Sequence, residues 1–202
     1  MSTLTVVRHG QARPFEKNAD CLSELGERQS RALRDYWSRL GTQFDEVICG
    51  SLTRHCQTAA GAIDAQPQVS HDWNEYDVEQ ILHGVPHPST FSSNREFQKV
   101  FEAAMEKWLD TPSFAAFHAR VLNGLRKIQQ GPSNRKIVLF TSGGPIGVLV
   151  QTALGAPPRN FADVNWRVRN CSITEFVFSA ERLSLDTFNT LPHLAPSLHT
   201  FR

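Results

Sequence analysis

Polar and apolar positions alternate through Thr3-Leu4-Thr5-Val6 and close on a second β-branched residue, Val7. This is the pattern of a buried strand, and it ends at Arg8-His9-Gly10. Residues 11 to 21, with Pro14, Asn18 and Asp20, read as a polar loop. The period then changes. Leu22, Leu25, Gln29, Ala32, Leu33, Tyr36, Trp37 and Leu40 recur at helical spacing, with Ser23 as N-cap and Gly41 past the end. Asp45 to Gly50 is a second apolar run. Strand, helix and strand without a hairpin turn predict a parallel sheet with crossover helices. After Gly50 a loop passes into a helix to about Ile63, with Arg54 in its first turn.

Gln68 to Asp77 reads as a short strand running into an acidic turn, and 84–94 as a Pro- and Ser-rich loop. Phe97, Val100, Phe101, Ala104, Met105 and Trp108 mark one amphipathic helix. Phe114, Phe117, Val121, Leu122, Leu125 and Ile128 mark another. Lys136 to Phe140 is a near-continuous apolar strand. It leads through Thr141-Ser142-Gly143-Gly144-Pro145 into a helix from Ile146 to Leu154, with Pro145 suited to its first turn. A polar segment follows Pro157-Pro158. Ser172–Phe178 and Arg182–Phe188 alternate and predict an antiparallel hairpin at a sheet edge. The tail from Pro192 reads as irregular. The fold class is therefore α/β, a mostly parallel mixed sheet flanked by helices in a three-layer sandwich. The expected organisation is a single domain over 1–202 with a helical insertion at about 74–130.

Composition narrows the function classes. A net charge of +1 gives no field for nucleic acid, and no apolar run approaches a membrane span. Cys21, Cys49, Cys56 and Cys171 lack metal-ligand spacing, and Cys49 fits a small core residue. The chain runs from Met1-Ser2 straight into its first strand without a basic leader, and a reduced, cytoplasmic setting is expected.

The chemistry gathers at strand ends, where ligands bind in open α/β sheets. His9 is presented there beside Arg8, a planar cation suited to phosphate, and the pair suggests a nucleophile for phosphoryl transfer. Gly10 is expected to allow a sharp turn and bring backbone N–H groups near a ligand. Arg54 opposes the dipole of its helix, so it serves an anion better than it serves the helix. Glu75 and Asp77 lie among aromatics, where partial burial would raise a carboxyl pKa and make a general acid; the choice between them stays open. Ser142 with the amides of Gly143 and Gly144 reads as an anion-binding helix start.

Together these residues resemble the histidine phosphatase superfamily, in its phosphoglycerate-mutase-like branch. Arg8-His9-Gly10 matches the signature, Leu22-Ser23-Glu24-Leu25-Gly26 with Gln29 the first-helix motif, and Ser51-Leu52-Thr53-Arg54 with Gln57-Thr58-Ala59 the second arginine motif. Asn74-Glu75 falls where the catalytic carboxylate is expected. Asn170, Ser172, Thr174, Asn189 and His193-Leu194 are similar to the closing strands. The resemblance implies that His9 is phosphorylated during turnover and that Glu75 is the acid, with Arg8, Arg54, Ser142 and Gly143 on the phosphate. It implies no metal or other cofactor, and a small phosphorylated substrate. Two residues depart from the pattern. The family's second histidine, placed after the strand ending at Phe140, is Ser142 here, and Gln11 stands where a glutamate is common. A serine is expected to leave space, filled by water, beside the phosphate. The insertion offers few cations (Arg95, Lys99, Lys107) for a substrate carboxylate, which favours a phosphatase of small metabolites over a mutase. The alternative is a degenerate member that binds a phosphorylated ligand or a protein partner without useful turnover.

Overall fold

The first strand, β1 (Ser2–Arg8), forms where the alternation predicts it and is buried at almost every position. It occupies the interior of a six-stranded sheet that also contains β2 (Glu46–Cys49), β3 (Gln68–Val69), β4 (Lys136–Thr141), β5 (Ile173–Phe178) and β6 (Leu183–Thr190). The order is β3-β2-β4-β1-β5-β6. The first four of these are mutually parallel, as strands joined by helical crossovers must be. The β5-β6 hairpin lies antiparallel on the other side of β1 and forms one edge, as expected. The computed structural model describes residues 1–13, 20–83, 85 and 93–201, with Asn94 described in its backbone alone. Most of the loop at 84–94, and residues 14–19 of the loop at 11–21, lie outside the described residues.

Seven α-helices are present among the described residues: α1 (Glu24–Leu40), α2 (Thr53–Ala62), α3 (Val78–Ile81), α4 (Asn94–Trp108), α5 (Pro112–Gln129), α6 (Gly143–Ala153) and α7 (Phe161–Asn165). The ends of α1 follow its capping residues. Ser23 Oγ accepts from the Gly26 N–H, and Gly41, at φ 62°, closes the helix in the left-handed region. Helix α6 begins at Gly143 instead of Ile146. Gly143, Gly144 and Pro145 carry no helical periodicity, yet the first turn accepts them because its N–H groups lack intrahelical partners anyway. The polar segment after Pro158 contains α7, anchored by the fully buried Phe161 among Trp108, Phe114 and Phe117.

Side chains alternate across the sheet and fill two cores. Leu4, Val6, Ile137, Leu139, Phe176 and Phe178 pack under Phe101, Trp108, Phe117 and Phe161. Val7, Cys49, Val138, Phe140 and Ile173 pack on the other face against Leu33, Trp37 and Ala59 of α1 and α2. Full burial of such a side chain is worth about 1.5–3 kcal/mol. The result is an α/β sandwich of helices, mixed sheet and helices, with the carboxyl ends of the four parallel strands on one side.

Candidate active site

The end of β1 is held from β4 and from the segment leading into β5. The His9 N–H donates to Thr141 O at 2.8 Å, while the Cys171 N–H and Asn170 Nδ2 donate to His9 O at 3.2 and 3.3 Å. The imidazole Nδ1 lies 2.7 Å from Gly10 O. A carbonyl only accepts, so Nδ1 carries the proton and the lone pair is on Nε2. Burial, then Arg54, Arg8 and His55, holds the His9 pKa well below the usual imidazole range, so the ring is neutral. Gly10 is needed for close approach, not for a left-handed turn: a Cβ there would lie 2.6 Å from Gly26 O. Its N–H is bonded to Thr58 Oγ1 at 3.0 Å, which corrects the expectation that it faces a ligand.

The two arginines arrive from different directions. Arg8 Nη1 donates to the carbonyls of Val168 and Phe201. Arg54, in the first turn of α2, donates to Asp20 Oδ1 at 2.5 Å, and the Thr53 N–H donates to Asp20 Oδ2 at 2.7 Å. One carboxylate thus takes both the guanidinium and a free N–H of the helix start, the groups expected to receive an anion. Nothing in the loop around Asp20 marks it for this contact.

The two candidate carboxylates separate clearly. Glu75 Oε1 accepts from the Gly144 and Tyr76 N–H groups, both at 3.1 Å, and Oε2 accepts from Gly144 at 3.2 Å. Burial pushes its pKa above the usual carboxyl range, while Arg54, the two N–H groups and Arg8 pull the other way. Asp77 is exposed and caps α3, accepting from the Glu79 and Gln80 N–H groups. The Gly144 amide is therefore committed to Glu75, which corrects its assignment to an anion cradle. A Cβ at Gly144 would lie 2.0 Å from Glu75 Oε1. Gly143 is buried against Asn165 Oδ1.

Ser142 is the N-cap of α6 by position, but its hydroxyl does not cap. It bonds His55 Nε2 at 2.6 Å. The His55 ring is fully buried, 5.7 Å from the His9 ring between centroids. The hydroxyl is thus paired with a second imidazole of the site. Neither His55 nor Arg120 carries a sign in the sequence pattern that it belongs to the site. From α5, Arg120 donates to the carbonyls of His71 at 2.5 Å, Asp72 at 3.0 Å, Asn74 at 2.9 Å and Glu75 at 3.3 Å. It pins the backbone that presents Glu75. Among the described residues, no group of three or more His, Cys, Asp or Glu side chains is placed to hold a metal ion. No helix described is long and apolar enough to cross a membrane.

Residues 4–191 match the histidine phosphatase superfamily (branch 1), and the chain belongs to that family. No curated protein matches the sequence. Solved structures share the fold at low identity. A phosphoserine phosphatase from Entamoeba histolytica, in complex with 3-phosphoglyceric acid, is 19% identical with a TM-score of 0.72, over 96% of this chain and 100% of that one. A mycobacterial glucosyl-3-phosphoglycerate phosphatase in complex with inorganic phosphate is 22% identical, TM-score 0.69, over 96% and 99%. A phosphoglycerate mutase from Bacillus anthracis is 15% identical, TM-score 0.69, over 95% and 94%.

Proposed function

We propose that the protein is a phosphatase that hydrolyses phosphate monoesters of small metabolites through a phosphohistidine on His9. The observation that carries this reading is the state of His9: a neutral ring at a strand end, its Nδ1–H fixed on Gly10 O and its Nε2 lone pair unprotonated. Nε2 attacks phosphorus in line as the bond to the leaving oxygen breaks. Glu75, whose raised pKa keeps a proton available, protonates that oxygen. Its carboxylate then takes a proton from water as the water oxygen bonds phosphorus and the P–N bond breaks. Arg8 and Arg54 stabilise charge on the non-bridging oxygens. Ser142 stands where the family's second histidine is expected, and Ser142 and Gly143 complete the pocket with neutral groups. The small net charge and the four free cysteines support a cytoplasmic enzyme acting on small substrates.

A second reading, binding without useful turnover, is favoured by the pairing of Arg54 with Asp20 and by the neutral serine at position 142. The two readings separate in one experiment. Wild type and His9→Ala are incubated with a panel of phosphorylated metabolites and with a labelled phosphoryl donor. An acid-labile label on wild type, absent from His9→Ala, together with turnover of at least one metabolite, is the expected result. Turnover by His9→Ala at the wild-type rate overturns the nucleophile assignment, and vanadate binding without any turnover selects the second reading.

A further inference from the structure

His55 is a fully buried imidazole with no part in the chemistry described so far. Two features show that its place is built. Gly50, at the end of β2, leaves room for it: a Cβ there would lie 2.2 Å from His55 Nδ1. The other ring nitrogen makes a short bond to Ser142 Oγ at 2.6 Å. The His9 N–H bond to Thr141 O carries the β1-β4 ladder one step past its last register pair, so Ser142 begins α6 beside His9. Adjacent strands lie about 4.8 Å apart. His9, Ser142 and His55 therefore form one cluster drawn from the end of β1, the N-cap of α6 and the first turn of α2.

The proton positions in that cluster follow from its partners. Among the described residues, His55 Nδ1 is buried with no hydrogen-bond partner. With a phosphoryl oxygen accepting the Ser142 hydroxyl proton, the Nε2–H tautomer leaves no donor of this buried pair without an acceptor, whereas the Nδ1–H tautomer leaves one. Burial and Arg54 keep the ring neutral, so its single proton belongs on Nε2, facing Ser142. Ser142 Oγ then accepts from His55, and its own hydroxyl proton is left for another acceptor. The opposite tautomer would turn the serine's proton toward His55 and present only lone pairs to an anion.

We infer that His55 is a positioning residue: its Nε2–H donates to Ser142 Oγ and so directs the serine hydroxyl's proton at the phosphoryl group held beside His9. The inference rests on the phosphatase reading of this site. Ser142 and His55 are both fully buried, so the packing over Ser142 must open for a phosphoryl oxygen to accept the hydroxyl proton; His55 is the group that orients it.

The test compares Ser142→Ala, His55→Ala, the double variant and His55→Gln, with unfolding temperatures measured to confirm folding. On an aryl phosphate, each alanine variant is expected to lose about 10²-fold in kcat/KM, the scale for one preorganised donor. The double variant should lose no more than either single one, because the two side chains act as one unit. Gln, which carries an N–H donor on a side chain of similar reach, should restore most of the loss. Nitrogen-15 spectra should show the Nε2–H tautomer for His55. Single losses that multiply in the double variant, a Gln variant no better than Ala, or an Nδ1–H tautomer would each overturn the inference.

Vanadate affinity by calorimetry gives an arm that needs no turnover. Equal weakening in Ser142→Ala and His55→Ala supports the inference even if wild type hydrolyses nothing, a result that would defeat only the phosphatase reading. Unchanged affinity in both variants, or no vanadate binding by wild type, overturns it.

Discussion

Arg120→Met tests how the carboxylate at position 75 is held. Methionine keeps most of the apolar stem that packs by Phe117, whose ring centre lies 5.3 Å from the Arg120 guanidinium carbon, and removes every donor. Four carbonyls, those of His71, Asp72, Asn74 and Glu75, lose their contact. A hydrogen bond to a charged group contributes about 1.5–3 kcal/mol. The four cannot be summed at that rate: the turn is partly exposed, water replaces some contacts, and the guanidinium no longer has to be desolvated, a cost visible in its lowered pKa. A net loss of about 3 kcal/mol is expected. In a domain of this size each kcal/mol lowers Tm by about 2–4 °C, so Tm should fall by about 6–12 °C. Turnover should fall as well, and unevenly. An alkyl phosphate needs its leaving oxygen protonated, whereas an aryl phosphate does not, so the alkyl substrate should lose at least about tenfold more in kcat. Urea unfolding and the alkyl-to-aryl ratio are the measurements. An unchanged midpoint would show that Arg120 does not hold the turn, and an unchanged ratio would show that the turn does not hold the acid.

Three further outcomes follow from the same contacts. Gly144→Ala places a methyl group where Glu75 Oε1 lies, so alkyl phosphate turnover should drop about 10²-fold while aryl phosphate turnover drops less; equal losses would remove Glu75 from the acid role. Asp20→Asn takes a competing carboxylate charge from Arg54 and the Thr53 N–H, and phosphate affinity by calorimetry should rise about tenfold; an unchanged or weaker affinity would place the anion elsewhere. Stability should fall as pH drops from 7 to 5. His9 and His55 are held neutral in the fold and His193 is lowered to about 4, whereas in the unfolded chain each takes up a proton near about 6.5. The unfolded state then binds more protons, at up to about 1.4 kcal/mol per pH unit for each imidazole. The raised pKa of Glu75 acts in the opposite sense and offsets part of this. Urea midpoints at pH 7, 6 and 5 decide the matter, and a flat profile would contradict the buried neutral imidazoles.

The path of the backbone was legible because periodicity reports burial directly. Leu4 and Val6 face one core and Val7 the other, and the two-residue period that places them also predicts β1. Helix α1 announces both of its ends through Ser23 and Gly41. Elements without a period were harder. Gly143 to Pro145 enter α6 because a first turn tolerates them, and α7 is short and anchored largely by one residue, Phe161, whose aromatic neighbours are distant in sequence. The family match over residues 4–191 agrees with the family that the motifs resemble.

The partners within the site were not legible, and the reason is physical. A residue type at a strand end says what an atom can donate, but not which neighbour already receives it. The Gly144 N–H had the right chemistry for an anion, and it serves one, but that anion is the carboxylate of Glu75, 69 positions away in the chain. Arg54 likewise meets a carboxylate, Asp20, from across the site. Ser142 and His55 are 87 positions apart, on α6 and α2, and meet only because β2 and β4 are neighbours in the sheet and Gly50 has no side chain. A helix-borne histidine beside Arg54 gives no sign by itself that it will turn inward. Its burial is set by register between strands and by one missing Cβ, both properties of the assembled sheet. Buried polar side chains of the site should therefore be read in pairs. A serine hydroxyl with a buried imidazole 2.6 Å away is half of a polar pair, and what it can donate depends on the ring it faces.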